Sequence, residues 1–269
     1  SSNPNLRETA FLSPKDTYAD GGWDAVKRDA EEKADLLLSL GINVNLAPVC
    51  DMTSDEYGFM YDRSFSVDVD MENRYVRTVV ETSKSKKLGT VLKHFPGYGN
   101  NSDTHTGIAY DDRDYSEFEN TDFKPFYQGI ESGADCILVS HNIVNCMDSE
   151  YPASLSQKVH DILRNEFKFD GVIMTDDLIM DAITDFTGDE AAAVTAAKCG
   201  NDLLCCSSVD TQYPAVLEAV QNGEISEAQV DASVKRILKW KQNLGIFNID
   251  TYQKKVKSTE PTDTVGSEE

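Results

Sequence analysis

Residues 71–95, MENRYVRTVVETSKSKKLGTVLKHF, contain the pattern that decides the fold. Apolar residues in 71–88 recur at helical spacing, and Gly89 follows them as a residue suited to end a helix. The run TVLKHF then predicts a short β-strand, with Lys93 and His94 near its carboxyl end. A helix, a glycine, an apolar strand and polar strand-end residues thus follow one another in one short segment.

The same succession recurs along the chain. Helical patterns lead through glycines into five apolar runs, at 42–49, 90–95, 135–141, 172–177 and 201–207, and two more helical patterns close the ordered part. Strands that are apolar throughout and separated by helices predict a parallel sheet covered by helices. No dinucleotide or Walker A motif follows any strand.

Polar residues near the ends of four strands favour a TIM-type (β/α) barrel over a doubly wound sheet, since barrel strand ends meet at one mouth. These residues are Asp51, Lys93, His94, His141 and Asp176. A closed barrel needs eight strands. We therefore expect residues 1–249 to be an N-terminally truncated barrel of about five of the eight β/α units, and residues 250–269 to be a disordered polar tail.

Composition excludes several partner classes. The formal charge of −22 argues against nucleic acid and anionic membrane surfaces, and no apolar run approaches the roughly 20 residues of a membrane span. The six cysteines show no zinc-type spacing and are expected to be reduced, structural thiols. Because the chain begins at Ser1, localisation stays open between the cytoplasm and the cell envelope or exterior of a bacterium.

Three candidate groups could carry chemistry. In GVIMTDDLIM (171–180), one of Asp176 and Asp177 can cap a helix while the other faces the mouth. Asp103 and His105 are two residues apart and can pair for acid–base catalysis; the alternative is a local turn beside an exposed histidine. Arg63 offers a planar set of donors, unless it forms a surface ion pair with Asp62.

A metal site built from His94, Asp103, His105 and His141 is a weaker alternative, because these ligands have no fixed spacing.

In combination these motifs resemble glycoside hydrolase family 3, in its single-domain β-N-acetylglucosaminidase branch. The resemblance covers residues from about 19 to 244 and rests on INVNLAPVCD (42–51), DRSF (62–65), KHFPGYG (93–99), DTH (103–105), VSH (139–141) and GVIMTDDLIM (171–180). It implies a (β/α) barrel that cleaves terminal β-linked N-acetylglucosamine from peptidoglycan fragments or chitooligosaccharides with retention of configuration. It implies no cofactor or metal, and we expect a monomer.

Carried over residue by residue, the resemblance makes Asp176 the nucleophile that forms a glycosyl-enzyme. His105 would be the general acid/base, paired with Asp103 on a mobile loop. The expected substrate-binding residues are Arg63, Lys93, His94 and His141.

Some features depart from the family pattern. Tyr98 stands where many members have histidine, and the loop at 99–103 is about one residue shorter than expected. The strand that in this family supplies an acidic residue to the outer hydroxyls of the sugar would precede Ser1, so we expect the chain alone to be a weak or inactive catalyst. The alternatives are a sugar-binding module without turnover, a phosphorylase variant, a family 3 β-glucosidase and a metal-dependent barrel hydrolase.

Overall fold

The computed structural model describes residues 7–101, 103–187 and 189–252. The predicted tail lies outside these residues from position 253 onward. The strands are β1 (Val44–Asn45), β2 (Gly89–Phe95), β3 (Tyr110–Asp111), β4 (Cys136–Val139), β5 (Ile143–Val144) and β6 (Val172–Thr175).

Helices fill most of the remaining described residues. They are α1 (Pro14–Ser39), α2 (Val69–Ser85), α3 (Tyr115–Asn120), α4 (Phe123–Glu131), α5 (Gln157–Asp161), α6 (Asp181–Thr187), α7 (Asp189–Lys198), α8 (Val209–Gln221) and α9 (Glu227–Asn243). Short 3-10 turns lie at Thr104–Thr106 and Ala153–Leu155, and a π-helical turn at Ile162–Glu166 follows α5.

Helix α1 begins earlier than the sequence pattern predicts. Helical spacing in the sequence begins at Trp23, after a turn-rich segment that shows no strand. In the structure Ser13 caps a helix that starts at Pro14, because its hydroxyl accepts from the Asp16 amide at 3.1 Å. The glycine pair is where the helix bends: Gly21 and Gly22 have non-helical backbone angles, with φ of +60° at Gly22.

The main sheet confirms the predicted parallel α/β architecture. Its strand order is β1-β2-β4-β6, and every neighbouring pair is parallel. The fifth predicted strand, at 201–207, contributes a parallel bridge between Leu203 and Met174 of β6. The five predicted segments therefore lie side by side in sequence order, as consecutive units of a barrel do, and within the described residues the sheet is open.

Both faces of the sheet are buried, which explains the continuous apolar strands. Leu92, Ile137 and Ile173 share a core cluster with side chains of α2 and α4. Their neighbours point to the other face, where Val91, Leu138 and Met174 meet Trp240 of α9. Replacing one of these fully buried aliphatic side chains by alanine would cost about 2–5 kcal/mol.

A glycine sets the spacing between α4 and β2. A Cβ at Gly129 would lie 2.5 Å from a Leu92 methyl carbon, so only glycine lets the helix approach the strand this closely. The peptide bonds Ala47–Pro48, Lys93–His94 and Phe95–Pro96 are cis. No helix in the described ranges is both long and apolar enough to traverse a bilayer.

Candidate active site

Backbone hydrogen bonds join the segments that follow the four strands. The Cys50 amide donates to the Lys93 carbonyl at 2.6 Å. Farther along the sheet, the Ser140 amide donates to Phe95 at 2.9 Å and the Asp176 amide to Val139 at 3.2 Å. Because the strands are parallel, the polar residues at their carboxyl ends lie along one edge of the sheet.

Asp51 is the buried centre of the first cluster. Its Oδ2 accepts from the His94 amide at 3.0 Å and from His94 Nδ1 at 2.7 Å, and its Oδ1 accepts from the Tyr98 amide at 2.8 Å. A carboxylate only accepts, so Nδ1 of His94 carries the proton and Nε2 is left as an acceptor. Arg63 Nη2 donates to that Nε2 at 3.3 Å, which completes a chain Asp51–His94–Arg63.

Lys93 lies half-buried between charges of both signs. Burial lowers the pKa of Lys93, the nearby Arg63 guanidinium lowers it further, and Asp176 and Asp51 raise it. The ammonium thus lies within electrostatic reach of Asp176 and Arg63. Both residues of the Lys93–His94 pair therefore face the same group of charges.

Asp103 and His105 pair directly, on the 3-10 turn that contains Thr104. Oδ1 of Asp103 accepts from Nδ1 of His105 at 2.6 Å and from the His105 amide at 3.0 Å. Although partial burial raises the pKa of Asp103, these two hydrogen bonds hold it below its ordinary value. The His105 side chain is 61% exposed, so its ring faces open space rather than the protein core.

Asp176 and Asp177 differ in their hydrogen-bond partners. Asp177 accepts from the Ile179 and Ser207 amides and from the Ser207 hydroxyl, and these bonds lower its pKa against the opposing effect of burial. Oδ1 of Asp176 accepts from the Asp177 amide at 2.9 Å, which orients the carboxylate at the end of β6. Both carboxylates act electrostatically on His141, and Asp176 acts on Lys93 as well.

His141 is fully buried with both ring nitrogens occupied. Nε2 donates to the Asp177 carbonyl at 3.1 Å, and Nδ1 contacts the Ser154 hydroxyl at 2.7 Å, where it is the acceptor. Burial lowers the pKa of His141 to about 4, against the opposing charges of Asp176 and Asp177. The ring is therefore neutral near pH 7, and it supports the backbone of the segment that follows Asp176.

The loop between Lys93 and His105 has hydrogen bonds to a neighbouring loop and within itself. Asn100 Oδ1 accepts from the Thr53 hydroxyl at 2.8 Å and from the Ser54 amide at 3.1 Å, while its Nδ2 donates to the Ser54 hydroxyl at 3.2 Å. Tyr98 Oη lies 2.6 Å from the Thr104 hydroxyl, and both side chains are buried. Sequence reasoning singled out neither of these contacts.

The structure brings the predicted residues into one electrostatic neighbourhood. Asp176 acts on Lys93 and His141, His105 acts on His141, and Arg63 acts on Asp103. Of the ligands in the metal alternative, His94 pairs with Asp51 and His141 with Ser154. The described ranges hold no group of three or more His, Cys, Asp or Glu residues arranged for a metal ion. Asp51 was recognised only as a strand-end residue; its burial under His94 is a tertiary contact that spacing does not reveal.

Comparisons with known proteins cover most of the chain. Residues 7–240 match the family described as "Glycosyl hydrolase family 3 N terminal domain". A protein named "Beta-hexosaminidase" from Hydrogenovibrio crunogenus is 33% identical over 199 residues, which cover 72% of this chain and 55% of that protein. The chain spans about half the length of the curated relatives it matches.

Solved structures show the same fold. A glycoside hydrolase family 3 beta-N-acetylglucosaminidase from Paenibacillus sp. strain FPU-7 superposes with a TM-score of 0.82 at 30% identity, over 87% of this chain and 46% of that one. A beta-glucoside phosphorylase superposes with a TM-score of 0.83 at 24% identity, over 88% of this chain and 45% of that one. The second likeness shows the fold alone, since proteins of one fold can differ in reaction.

Proposed function

Since the chain belongs to glycosyl hydrolase family 3 through its N-terminal domain, we propose that it carries the catalytic centre of a retaining β-N-acetylhexosaminidase. The substrate class would be oligosaccharides with a terminal β-linked N-acetylglucosamine, such as chitooligosaccharides or peptidoglycan fragments. The observation that carries the proposal is the Asp103–His105 pair, at 2.6 Å, with His105 acting electrostatically on the same His141 ring as the Asp176 carboxylate.

In the first step, Asp176 attacks the anomeric carbon and the leaving oxygen takes a proton from His105. Nδ1 of His105 is bound to Asp103, so Nε2 is the atom that exchanges the proton. Asp103 stays ionised because its pKa is lowered, and its charge stabilises the imidazolium that donates. In the second step, neutral His105 removes a proton from water, which attacks the glycosyl-enzyme and frees Asp176.

Arg63 and Lys93 are the donors that would hold the sugar hydroxyls. Both are cationic and partly buried, and the guanidinium keeps further N–H groups after its bond to His94. In the unliganded geometry His94 accepts from Arg63, so its first role is to fix the direction of that guanidinium. It can hydrogen-bond a sugar once Arg63 has turned to the ligand.

We assign His141 and Asp51 positioning roles. His141 would have to give up Ser154 or the Asp177 carbonyl to bind a sugar, and its ring is completely buried. Asp51 is equally buried and contacts the site through His94 and the Tyr98 amide. Both residues hold strand-end segments in place, and neither touches substrate in this assignment.

The proposal is tested by hydrolysis of p-nitrophenyl N-acetyl-β-glucosaminide beside the corresponding glucoside, in a form of the protein extended upstream of Ser1, because this chain alone is expected to be a weak or inactive catalyst. We expect release of nitrophenol from the N-acetylglucosaminide and much slower release from the glucoside. Preference for the glucoside would instead assign a β-glucosidase, and binding of N-acetylglucosamine without any release would assign a sugar-binding module.

A phosphorylase is the second candidate, because a histidine acid/base would not repel an incoming phosphate as a carboxylate would. Product analysis in phosphate and in phosphate-free buffer separates the two reactions. Free N-acetylglucosamine in both buffers supports hydrolysis, whereas a sugar 1-phosphate formed only with phosphate supports phosphorolysis.

A further inference from the structure

We propose that Tyr98 is a positioning residue that latches the catalytic turn through its hydrogen bond to Thr104. The inference deepens the proposed function and rests on it, because the latched turn is the one that carries Asp103 and His105. The latch is the hydrogen bond of 2.6 Å between Tyr98 Oη and Thr104 Oγ1.

The fixed end of the latch is Tyr98. Its amide donates to Asp51 at 2.8 Å, and its ring, 3% exposed, packs edge-on against Phe59 and His94 at centroid distances of 5.2 and 5.4 Å. Burial raises the pKa of Tyr98, so the phenol is neutral and keeps its proton for a hydrogen bond. The hydroxyl therefore projects from a rigid support at the end of β2.

The movable end is Thr104, which is buried while its neighbours Asp103 and His105 are partly or largely exposed. Asp103 and His105 flank Thr104 directly. Because only a few backbone torsions separate each of them from Thr104, fixing Thr104 limits where both can lie. Anchoring Thr104 thus restricts the turn and leaves the imidazole ring free to meet a leaving group. His105 therefore samples fewer conformations before its ring reaches the position for proton transfer.

Loss of the latch should affect proton transfer more than sugar binding. Arg63 and Lys93 lie on other segments, so the Michaelis constant would change little. If His105 is less well positioned, cleavage slows for a leaving group that must be protonated. Nitrophenolate leaves with little protonation, so its release slows less. The signature is a loss in kcat that depends on the leaving group.

The test compares Tyr98→Phe, Thr104→Val and the double variant on N,N′-diacetylchitobiose and on the p-nitrophenyl substrate. We expect each single variant to lose about tenfold in kcat on the disaccharide, as for one hydrogen bond of 1.4 kcal/mol, and about twofold or less on the aryl substrate. The double variant should lose no more than either single variant, because both remove the same bond.

Tyr115→Phe is the matched control. The Tyr115 hydroxyl of α3 donates to Glu166 of the π-helical turn at 2.7 Å, so the change removes a tyrosine hydrogen bond that does not involve the catalytic turn. We expect its kcat on both substrates to equal that of the unaltered enzyme. A second readout is hydrogen exchange at the His105 amide, which should quicken in Tyr98→Phe and Thr104→Val and stay unchanged in Tyr115→Phe.

Several results would overturn the latch: unchanged kcat on the disaccharide, equal losses on both substrates, or additive losses in the double variant. If Tyr98→Phe fails to fold, the latch is judged from Thr104→Val alone, by its kcat on the two substrates and by hydrogen exchange at the His105 amide. Failure of the proposed function is a separate result, since the unaltered enzyme would then release no sugar from either substrate.

Discussion

The imidazole rings of His105 and His141 lie in opposite surroundings. His105 has one nitrogen on Asp103 and a largely exposed ring, whereas His141 is buried between Ser154 and the Asp177 carbonyl. Burial lowers the pKa of His141 and keeps it neutral, which suits a hydrogen-bonding support but not a proton donor near pH 7. Only His105 has the access that proton exchange with a substrate requires.

The neighbouring carboxylates of Asp176 and Asp177 give a sharp test of the nucleophile. We expect Asp176→Asn to lower kcat by at least about 1,000-fold with an unchanged melting temperature, because an amide cannot form the glycosyl-enzyme. Asp177→Asn should lose roughly 1–3 kcal/mol of unfolding free energy through its bonds to Ser207 and retain measurable turnover. Steady-state kinetics and thermal unfolding of both variants check this, and the reverse pattern would exchange their roles.

For His105→Ala, the expected loss depends on the substrate. Removing a general acid costs about 100- to 10,000-fold when the leaving group needs its proton, and much less with a nitrophenyl group. Comparing kcat/KM on the disaccharide and on the aryl substrate measures the difference. Equal losses on both would argue against His105 as the acid.

At the scale of elements, the strands of the main parallel sheet place polar residues along a common edge. The helix–glycine–strand pattern was enough to predict the parallel sheet, and strand-end position was enough to select Lys93, His94 and Asp176. It could not reveal Asp51 under His94, or the attachment of Asn100 to Thr53 and Ser54, because these contacts join segments more than 40 residues apart. The pair β3 and β5 was also missed, because each strand has only two residues.

Asp51→Asn probes the support beneath β2. Its three donors leave no acceptor for an amide N–H, so one donor would face another. We expect a loss of about 2–3 kcal/mol in unfolding free energy and a several-fold rise in KM as Arg63 loses its alignment through His94. Denaturant unfolding and kinetics measure the two effects.

Asp148→Asn is the matched control for this substitution. Asp148 is likewise buried and accepts from Ser156, Lys158 and the Glu150 amide, away from the site. It should lose stability with KM unchanged. A rise in KM of similar size in both variants would mean that the effect is general loosening of the protein.

At the scale of the whole molecule, buried neutral histidines make stability depend on pH. Burial lowers the pKa of His160, whose Nδ1 donates to the Ser156 carbonyl at 2.7 Å. The unfolded chain then binds more protons than the folded one below the ordinary histidine pKa, near 6.5. The stabilisation from a neutral His160 is complete above that pH and declines as the pH falls below it.

His160→Asn isolates this contribution, since asparagine can keep the hydrogen bond to Ser156 without titrating. We expect the unfolding free energy of the variant to fall less steeply than that of the unaltered protein between about pH 6.5 and 5. Denaturant titrations at several pH values provide the slopes. Identical slopes in the variant and in the unaltered protein would contradict a neutral buried His160.

Asn100 joins two loops that perform different tasks, one leading from Asp51 to Arg63 and the other carrying His105. If a sugar held by Arg63 steadies the first loop, the second loses freedom as well, without any contact to the ligand. Thermodynamic reciprocity then requires that ordering of the His105 turn raises the affinity for the sugar by the same factor by which the sugar favours the ordered turn. Binding of the sugar in the ground state and ordering of the His105 turn for proton transfer would thus be coupled in one conformational equilibrium.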